Sequence, residues 1–212
     1  MKVPVLMLTY NRLEYTKRSL AALIACENVL PFVIDNGSTD GTEEYLNTEV
    51  KNDAVTLFNR ENKGIAYAMN QFLKLTRGHK FVGKVDNDTI VEKDWCLKML
   101  PYLEHADIIQ SKHHIIPATC EGGWDEFVKD MQFENGLYFN NYVGGSGILF
   151  NRRKISTMRV PETEWKLGGW RKFQGLHKEL TKAFVADVEI KLLDEHGYQD
   201  YPEYYKETGR TK

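Results

Sequence analysis

Leu30-Pro31-Phe32-Val33-Ile34-Asp35-Asn36-Gly37-Ser38-Thr39-Asp40-Gly41-Thr42 is the stretch that decides the fold. Leu30 to Ile34 is an apolar run of strand length, and Asp35 to Gly41 is a turn built from Asp, Asn, Ser and Gly. Thr42 then opens a short helix that reaches Leu46. A strand that ends in a polar turn and passes straight into a helix is half of a βαβ unit, and the same pattern recurs on both sides of it.

Upstream, residues 3 to 9 read as a buried strand, and Leu13, Thr16, Leu20, Leu23 and Ile24 follow at helical spacing. Downstream come a strand over Ala54 to Phe58 and a helix over Gly64 to Leu75 with Ile65, Met69, Phe72 and Leu73 on one face. A fourth strand spans Lys80 to Val85. This alternation predicts an α/β fold, a mostly parallel twisted sheet with helices on both faces. Ligands of such sheets bind outside the carboxyl ends of the strands.

Polar residues gather at those ends. Thr9, Asn11 and Arg12 follow the first strand, and Asp35, Asn36 and Ser38 the second. Asn59 and Asn62 follow the third, and Asp86 and Asp88 the fourth. In a parallel sheet all four groups line one edge. Loops are polar in general, but that does not explain repeated Asp and Asn at one end. In Val85-Asp86-Asn87-Asp88-Thr89 two carboxylates stand one residue apart where a strand emerges. Oxygen-rich, sulfur-free ligation suits Mg²⁺ or Mn²⁺, which is commonly shared between one or two carboxylates and the phosphates of a substrate. A phosphorylated donor is the expectation.

The 212 residues suffice for one sizeable core, and the 28 Lys and Arg against 30 Asp and Glu give no global attraction to nucleic acid or an anionic membrane. Cys26, Cys96 and Cys120 are widely spaced and form no Cys-x-x-Cys pair, so they read as buried free thiols. The apolar run Val3 to Leu8 is too short for a signal-peptide core, and no segment approaches the ~20 apolar residues that span a bilayer. A soluble, cytoplasmic protein is expected.

The second half is less regular. Trp95 to Leu103 looks helical and Asp107 to Gln110 strand-like, while residues 111 to 142 show no clean period and read as a substrate-shaping region. Val143 to Phe150 is a Gly-rich entry to another strand, and Leu180 to His196 reads as a long helix closed by Gly197. Trp124, Trp165 and Trp170 offer aromatic faces to a sugar ring but are more often core residues. His113 and His114 lack partners at metal-ligand spacing and read as structural or acceptor-lining.

Four segments together resemble the nucleotide-sugar-dependent glycosyltransferases of family 2 with the GT-A fold. They are Leu8-Thr9-Tyr10-Asn11-Arg12, Val33 to Thr42, Asn62-Lys63-Gly64 through Asn70, and Val85-Asp86-Asn87-Asp88. Weaker likenesses follow in Gly144-Gly145-Ser146-Gly147 with Phe150 to Arg153, and in Ala186-Asp187-Val188-Glu189-Ile190, which matches an acidic motif that usually reads Glu-Asp-x-Asp-Leu. The chain departs from the pattern at Ala186, at Met69 where the family often has Arg, and at the His expected after Gly197-Tyr198; His196 lies upstream of that place.

The resemblance implies a single GT-A domain, with residues 1–90 binding the nucleotide sugar and residues 91–212 carrying the acceptor side and the base. It implies a metal-dependent, inverting transfer from a nucleotide-diphosphate sugar, UDP most commonly, to a hydroxyl of a saccharide, protein or small-molecule acceptor. Thr9, Asn11, Arg12, Asp35, Asn36, Ser38, Asn62, Gly64 and Asp86 would hold the donor, with Asp86 near its ribose or sugar. Asp88 would take Mn²⁺ or Mg²⁺, Asp187 at a helix start would be the general base, and Gly145 and Trp170 would line the acceptor side. Three other readings stay open. One is a donor-binding or scaffolding protein without turnover, and another a nucleotidyltransferase on a related sheet. The third is a transferase of a modified nucleic-acid base served by Lys166, Arg171, Lys172, Lys178 and Lys182.

Overall fold

The computed structural model describes residues 2–113, 122–155, 157–162, 169–193 and 200–207. The alternating half is as the pattern predicts. Strand β1 (Val3–Thr9) leads to α1 (Leu13–Ala25), β2 (Val29–Asp35) to α2 (Thr42–Thr48), β3 (Val55–Phe58) to α3 (Gly64–Leu75), and β4 (Phe81–Asp86) follows. β1 pairs in parallel with β2 and β4, and β2 with β3. The carboxyl ends of all four strands therefore lie on one edge of the sheet.

The second half extends the same sheet. A short β5 (Thr89–Ile90) and α4 (Trp95–Met99) precede β6 (Ile108–His113), then come α5 (Gly123–Val128) and the hairpin β7 (Gln132–Glu134) and β8 (Leu137–Phe139). β9 (Ile148–Asn151) lies antiparallel between β4 and β6, and β10 (Lys182–Leu192) runs parallel to β6 and antiparallel to β8. α6 (Trp170–Leu176) stands before β10 and α7 (Pro202–Glu207) after it. The spatial order is β3-β2-β1-β4-β9-β6-β10-β8-β7, with β5 paired to the far end of β10.

Helices cover both faces. One core joins Leu20 and Leu23 of α1, Leu46 of α2 and Trp95 and Met99 of α4 to the sheet; the other joins Met69 and Phe72 of α3 to Phe173 of α6. Phe72 and Trp95 are fully buried, each contributing roughly 1.5–3 kcal/mol by removal from water. Close packing fixes the strand spacing at Gly83 of β4, where a Cβ would come within 2.5 Å of Leu149 and 2.9 Å of the Ile148 carbonyl on β9. Cys26 and Cys96 are buried free thiols as expected, and burial pushes the Cys96 thiol up to about 12; Cys120 lies outside the described residues.

One element differs in kind. Residues 182–192 form a strand, not the middle of a long helix. Val188 and Ile190 are buried while Asp187, Glu189 and Lys191 are exposed, a period of two, and β-branched Val185, Val188 and Ile190 pack well on a pleated surface. Tertiary pairing with β6 and β8 satisfies the backbone that a helix would have satisfied internally.

Candidate active site

Two consecutive residues in the left-handed region end the first strand: Asn11 at φ 53° and Arg12 at φ 62°. Such backbone costs about 1 kcal/mol or more per non-glycine residue and persists where its surroundings over-determine it. Here the turn sends Arg12 under the fourth strand. Its Nη1 donates to Asp88 Oδ2 at 3.0 Å and its Nη2 to Asn87 Oδ1 at 2.5 Å. The guanidinium also lies 4.2 Å from the ring centroid of Tyr204 on α7, and the Tyr15 hydroxyl donates to Asp200 at 2.8 Å. The segment after β10 thus closes over the Arg12–Asp88 pair.

The two aspartates have different surroundings. The Asp88 side chain is only 10% exposed and faces Arg12, whereas that of Asp86 is 37% exposed and faces Lys84. Lys84 is buried, and its Nζ donates to Asp86 Oδ1 and, at 2.5 Å, to the carbonyl of Gly145. The backbone N–H of Asp86 donates to Ser146 Oγ at 2.8 Å, and Ser146 Oγ lies 2.6 Å from Thr89 Oγ1. Gly145 therefore belongs to the site through its carbonyl, which helps orient the lysine that holds Asp86.

Around the second strand the predicted donor residues are knit to one another. Asp35 is fully buried and accepts from the Ser38 N–H at 3.1 Å and from the Ser38 hydroxyl. Burial pushes its carboxyl up from the usual range, and the Ser38 hydrogen bonds oppose that shift without cancelling it. The Ser38 hydroxyl also accepts from the Asn11 N–H at 2.7 Å, and Asn11 Oδ1 accepts from the Thr39 N–H at 2.9 Å. Asn36 donates to Asn62 Oδ1 at 2.9 Å, and Asn62 accepts from the Gly64 N–H at 3.0 Å. Gly64 opens α3 at φ 82°, a conformation that favours glycine.

Several expectations take a different form. Thr9 is buried, 2.8 Å from Thr16 Oγ1 and joined by the Asn87 amide at 3.3 Å, so its side chain holds the strand end together and does not face a ligand. Trp170 is a core residue: its ring stacks on Phe173 at 5.3 Å, and its indole N–H donates to the Gly144 carbonyl at 2.7 Å. It positions the glycine loop from below and offers no open face to a sugar. Trp124 packs edge-on against Phe184 and Tyr138. His113 lies 2.6 Å from the Gln110 amide, which also donates to the Ser146 carbonyl, so it too buttresses the loop. His114, Trp165, Lys166, His196 and Gly197-Tyr198 lie outside the described residues.

Asp187 requires the largest correction. It sits within β10, beside the irregularity between Val185 and Glu189, and not at a helix start. Glu189 is two residues along the strand and on the same side. The Asp187 carboxylate accepts from the Tyr102 hydroxyl at 2.8 Å. Leu192, five residues on, is the residue paired with Thr89, and Leu193 donates to the Asp88 carbonyl at 2.7 Å. At the strand rise the backbone of Asp187 is roughly 16 Å from that contact. The structure corrects the expected helix start, and the base role that the resemblance implies is a proposal.

Lys84, Asn87 and Ser146 were missed. Lys84 had a readable signal, since a lone lysine inside an apolar strand is buried and must be paired. Among the described residues no group of three or more His, Cys, Asp and Glu side chains is gathered as a metal site, and no helix is long and apolar enough to cross a membrane.

The glycosyl transferase family 2 model matches residues 5–162, which run from within β1 past β9 and include Asp86 and Asp88. The chain belongs to glycosyl transferase family 2. It is 34% identical over 112 residues to an uncharacterized glycosyltransferase, YfnE, of Bacillus subtilis, covering 50% of this chain and 28% of that protein. An uncharacterized glycosyltransferase of Rickettsia bellii is 26% identical over 139 residues, 65% of this chain. The chain spans only 20% of the length of that relative. Among solved structures, Staphylococcus aureus TarS 1-349 in complex with UDP superposes at TM-score 0.69 with 18% identity, covering 94% of this chain and 63% of that one. The mannosyltransferase PcManGT of Pyrobaculum calidifontis, in complex with GDP-Man and Mn²⁺, gives 0.70 with 16% identity, over 100% and 65%. These likenesses give this family 2 chain the GT-A fold.

Proposed function

We propose that this family 2 protein transfers a sugar from a nucleoside-diphosphate sugar, UDP-linked in the first instance, to an acceptor hydroxyl with inversion and with the help of Mn²⁺ or Mg²⁺. The observation that carries the reading is the convergence of Asn11, Arg12, Asp35, Ser38, Asp86 and Asp88 on one sheet edge of a family 2 chain. Complexes of similar proteins support the ligand class: one structural neighbour holds UDP and another GDP-Man with Mn²⁺.

Asp88 would hold the divalent cation, with the rest of the coordination left to the donor phosphates and water. Bound there, such an ion stabilises negative charge on the departing diphosphate. Asp35 and Ser38 sit where a nucleobase or ribose would be read, Asp35 as an acceptor for an N–H. Lys84 holds the exposed Asp86 carboxylate in place for sugar or ribose hydroxyls. Arg12 pairs with Asp88, and a guanidinium in that place can also pair with a phosphate oxygen of the donor. Inversion follows from the single displacement that the family resemblance implies.

The test is release of nucleoside diphosphate across a panel of nucleotide sugars with Mn²⁺ present. Turnover of at least one donor, with the product's anomeric configuration opposite to the donor's, is expected. Tight donor binding with neither hydrolysis nor transfer for any donor and acceptor tried would favour a donor-binding protein without turnover.

A further inference from the structure

A second polar cleft lies at the sheet edge opposite the aspartates. Its volume is about 430 Å³, and it is lined by Lys178, Lys182, Asn140, Asn141, Gln132 and Phe139 together with Asp130. A neighbouring lobe of about 230 Å³ shares Asn141, Lys178 and Lys182 with it. Lys182 opens β10, while Leu193, just beyond the other end of β10, bonds Asp88. Ten steps of strand lead from Lys182 to Leu192, about 33 Å, so a ligand in this cleft does not overlap a donor at the aspartates.

Lys182 makes the cleft unusual. It is 4% exposed, and its Nζ donates to the carbonyls of His177 at 3.0 Å and Leu180 at 2.6 Å. Neither acceptor carries a charge, an ammonium has three N–H donors, and no carboxylate lies within ion-pair distance of it among the described residues. The nearby carboxylates are engaged elsewhere: Asp107 accepts from the Thr181 N–H and hydroxyl, each at 3.0 Å, and Glu179 pairs with His177 at 3.0 Å. Among the described residues Asp130 is the one carboxylate on the lining, against two lysines. A buried cation with no carboxylate in ion-pair contact is costly even with Asp107 and Glu179 attracting it from farther away, and the cleft beside it has room for a closer counter-charge.

We propose that this cleft binds an anionic saccharide, its phosphate or carboxylate held by Lys182 and Lys178 and its hydroxyls by Asn140, Asn141 and Gln132. The amides supply both donors and acceptors to hydroxyl groups, and Phe139 supplies an apolar face. Arg171, 5.2 Å from the ring centroid of Tyr142 in the neighbouring lobe, adds a further positive charge nearby.

The proposal is tested by binding alone, so its failure is separate from failure of the transferase reading. ¹⁵N-labelled full chain is titrated with glucose 6-phosphate, glucuronate and glucose while the side-chain amides of Asn140 and Asn141 are followed by NMR. The result expected is that at least one of the two anions shifts those amides and binds about tenfold or more tighter than glucose. Lys182→Met and Lys178→Gln each weaken that binding by about tenfold, with UDP affinity unchanged. Lys178 is exposed, so Lys178→Gln keeps the test decisive even where Lys182→Met disturbs folding. Unshifted amides with all three probes, glucose binding as tightly as the anions, or anion binding that Lys178→Gln leaves at wild-type strength would each overturn it.

Discussion

At the scale of single residues, the site is organised by charges held away from water. Asp35 is the clearest case: fully buried, its acid form favoured by burial, it is kept in place by Ser38 and neighbours Asn11. Because its folded pKa lies above the unfolded value, the folded state binds the proton first. Asp35 therefore detracts from stability increasingly as pH rises from about 4 through the raised folded pKa, and the penalty is complete above it. We expect Asp35→Asn, which keeps one acceptor for Ser38, to be as stable as the wild type or more so at pH 7, with the difference vanishing below about pH 4. The same variant should lose at least about tenfold in UDP affinity, since a hydrogen bond to a charged group is worth roughly 1.5–3 kcal/mol. Thermal melts across pH and a calorimetric titration check the two halves, and a destabilised variant with intact UDP affinity would remove Asp35 from the donor site.

At the scale of elements, legibility followed periodicity. The helix over Gly64–Leu75 and the strand over Val3–Thr9 stood in the sequence because each has one clean apolar pattern and a turn at its end. β10 did not, because Leu180 to His196 carries enough Leu, Ala, Glu and Lys to suggest a helix, and the alternation of Val188, Asp187, Ile190 and Glu189 was outweighed by a short acidic motif. That motif put Asp187 on the wrong kind of element: it was read from a five-residue likeness, while its partner Tyr102 lies 85 residues away in sequence. With Asp187 proposed as the general base, Asp187→Asn is expected to preserve UDP binding and to remove most transfer, a loss of about a hundredfold or more. Steady-state kinetics with the best donor decide it, and near-normal turnover would take the base role from Asp187.

At the scale of the whole molecule, the alternating first half was nearly complete in the sequence, whereas the second half depended on contacts between distant segments. Four strand-end turns converge because parallel pairing brings them to one edge, a conclusion available from strand and helix alternation alone. What no local pattern shows is that Arg12 crosses to Asp88, that Lys84 ties Asp86 to the Gly145 carbonyl, and that α7 returns to put Tyr204 over Arg12. This assembly makes a definite statement about binding order. With Arg12 on Asp88, a divalent cation meets a neutralised carboxylate, so metal and donor should each strengthen the other, a reciprocal coupling. The most direct test is a calorimetric titration of UDP with and without Mn²⁺, on wild type and Asp88→Asn. The account predicts UDP binding at least about tenfold tighter with Mn²⁺, weak Mn²⁺ binding without UDP, and loss of the coupling in Asp88→Asn; UDP affinity indifferent to both Mn²⁺ and Asp88 would contradict it.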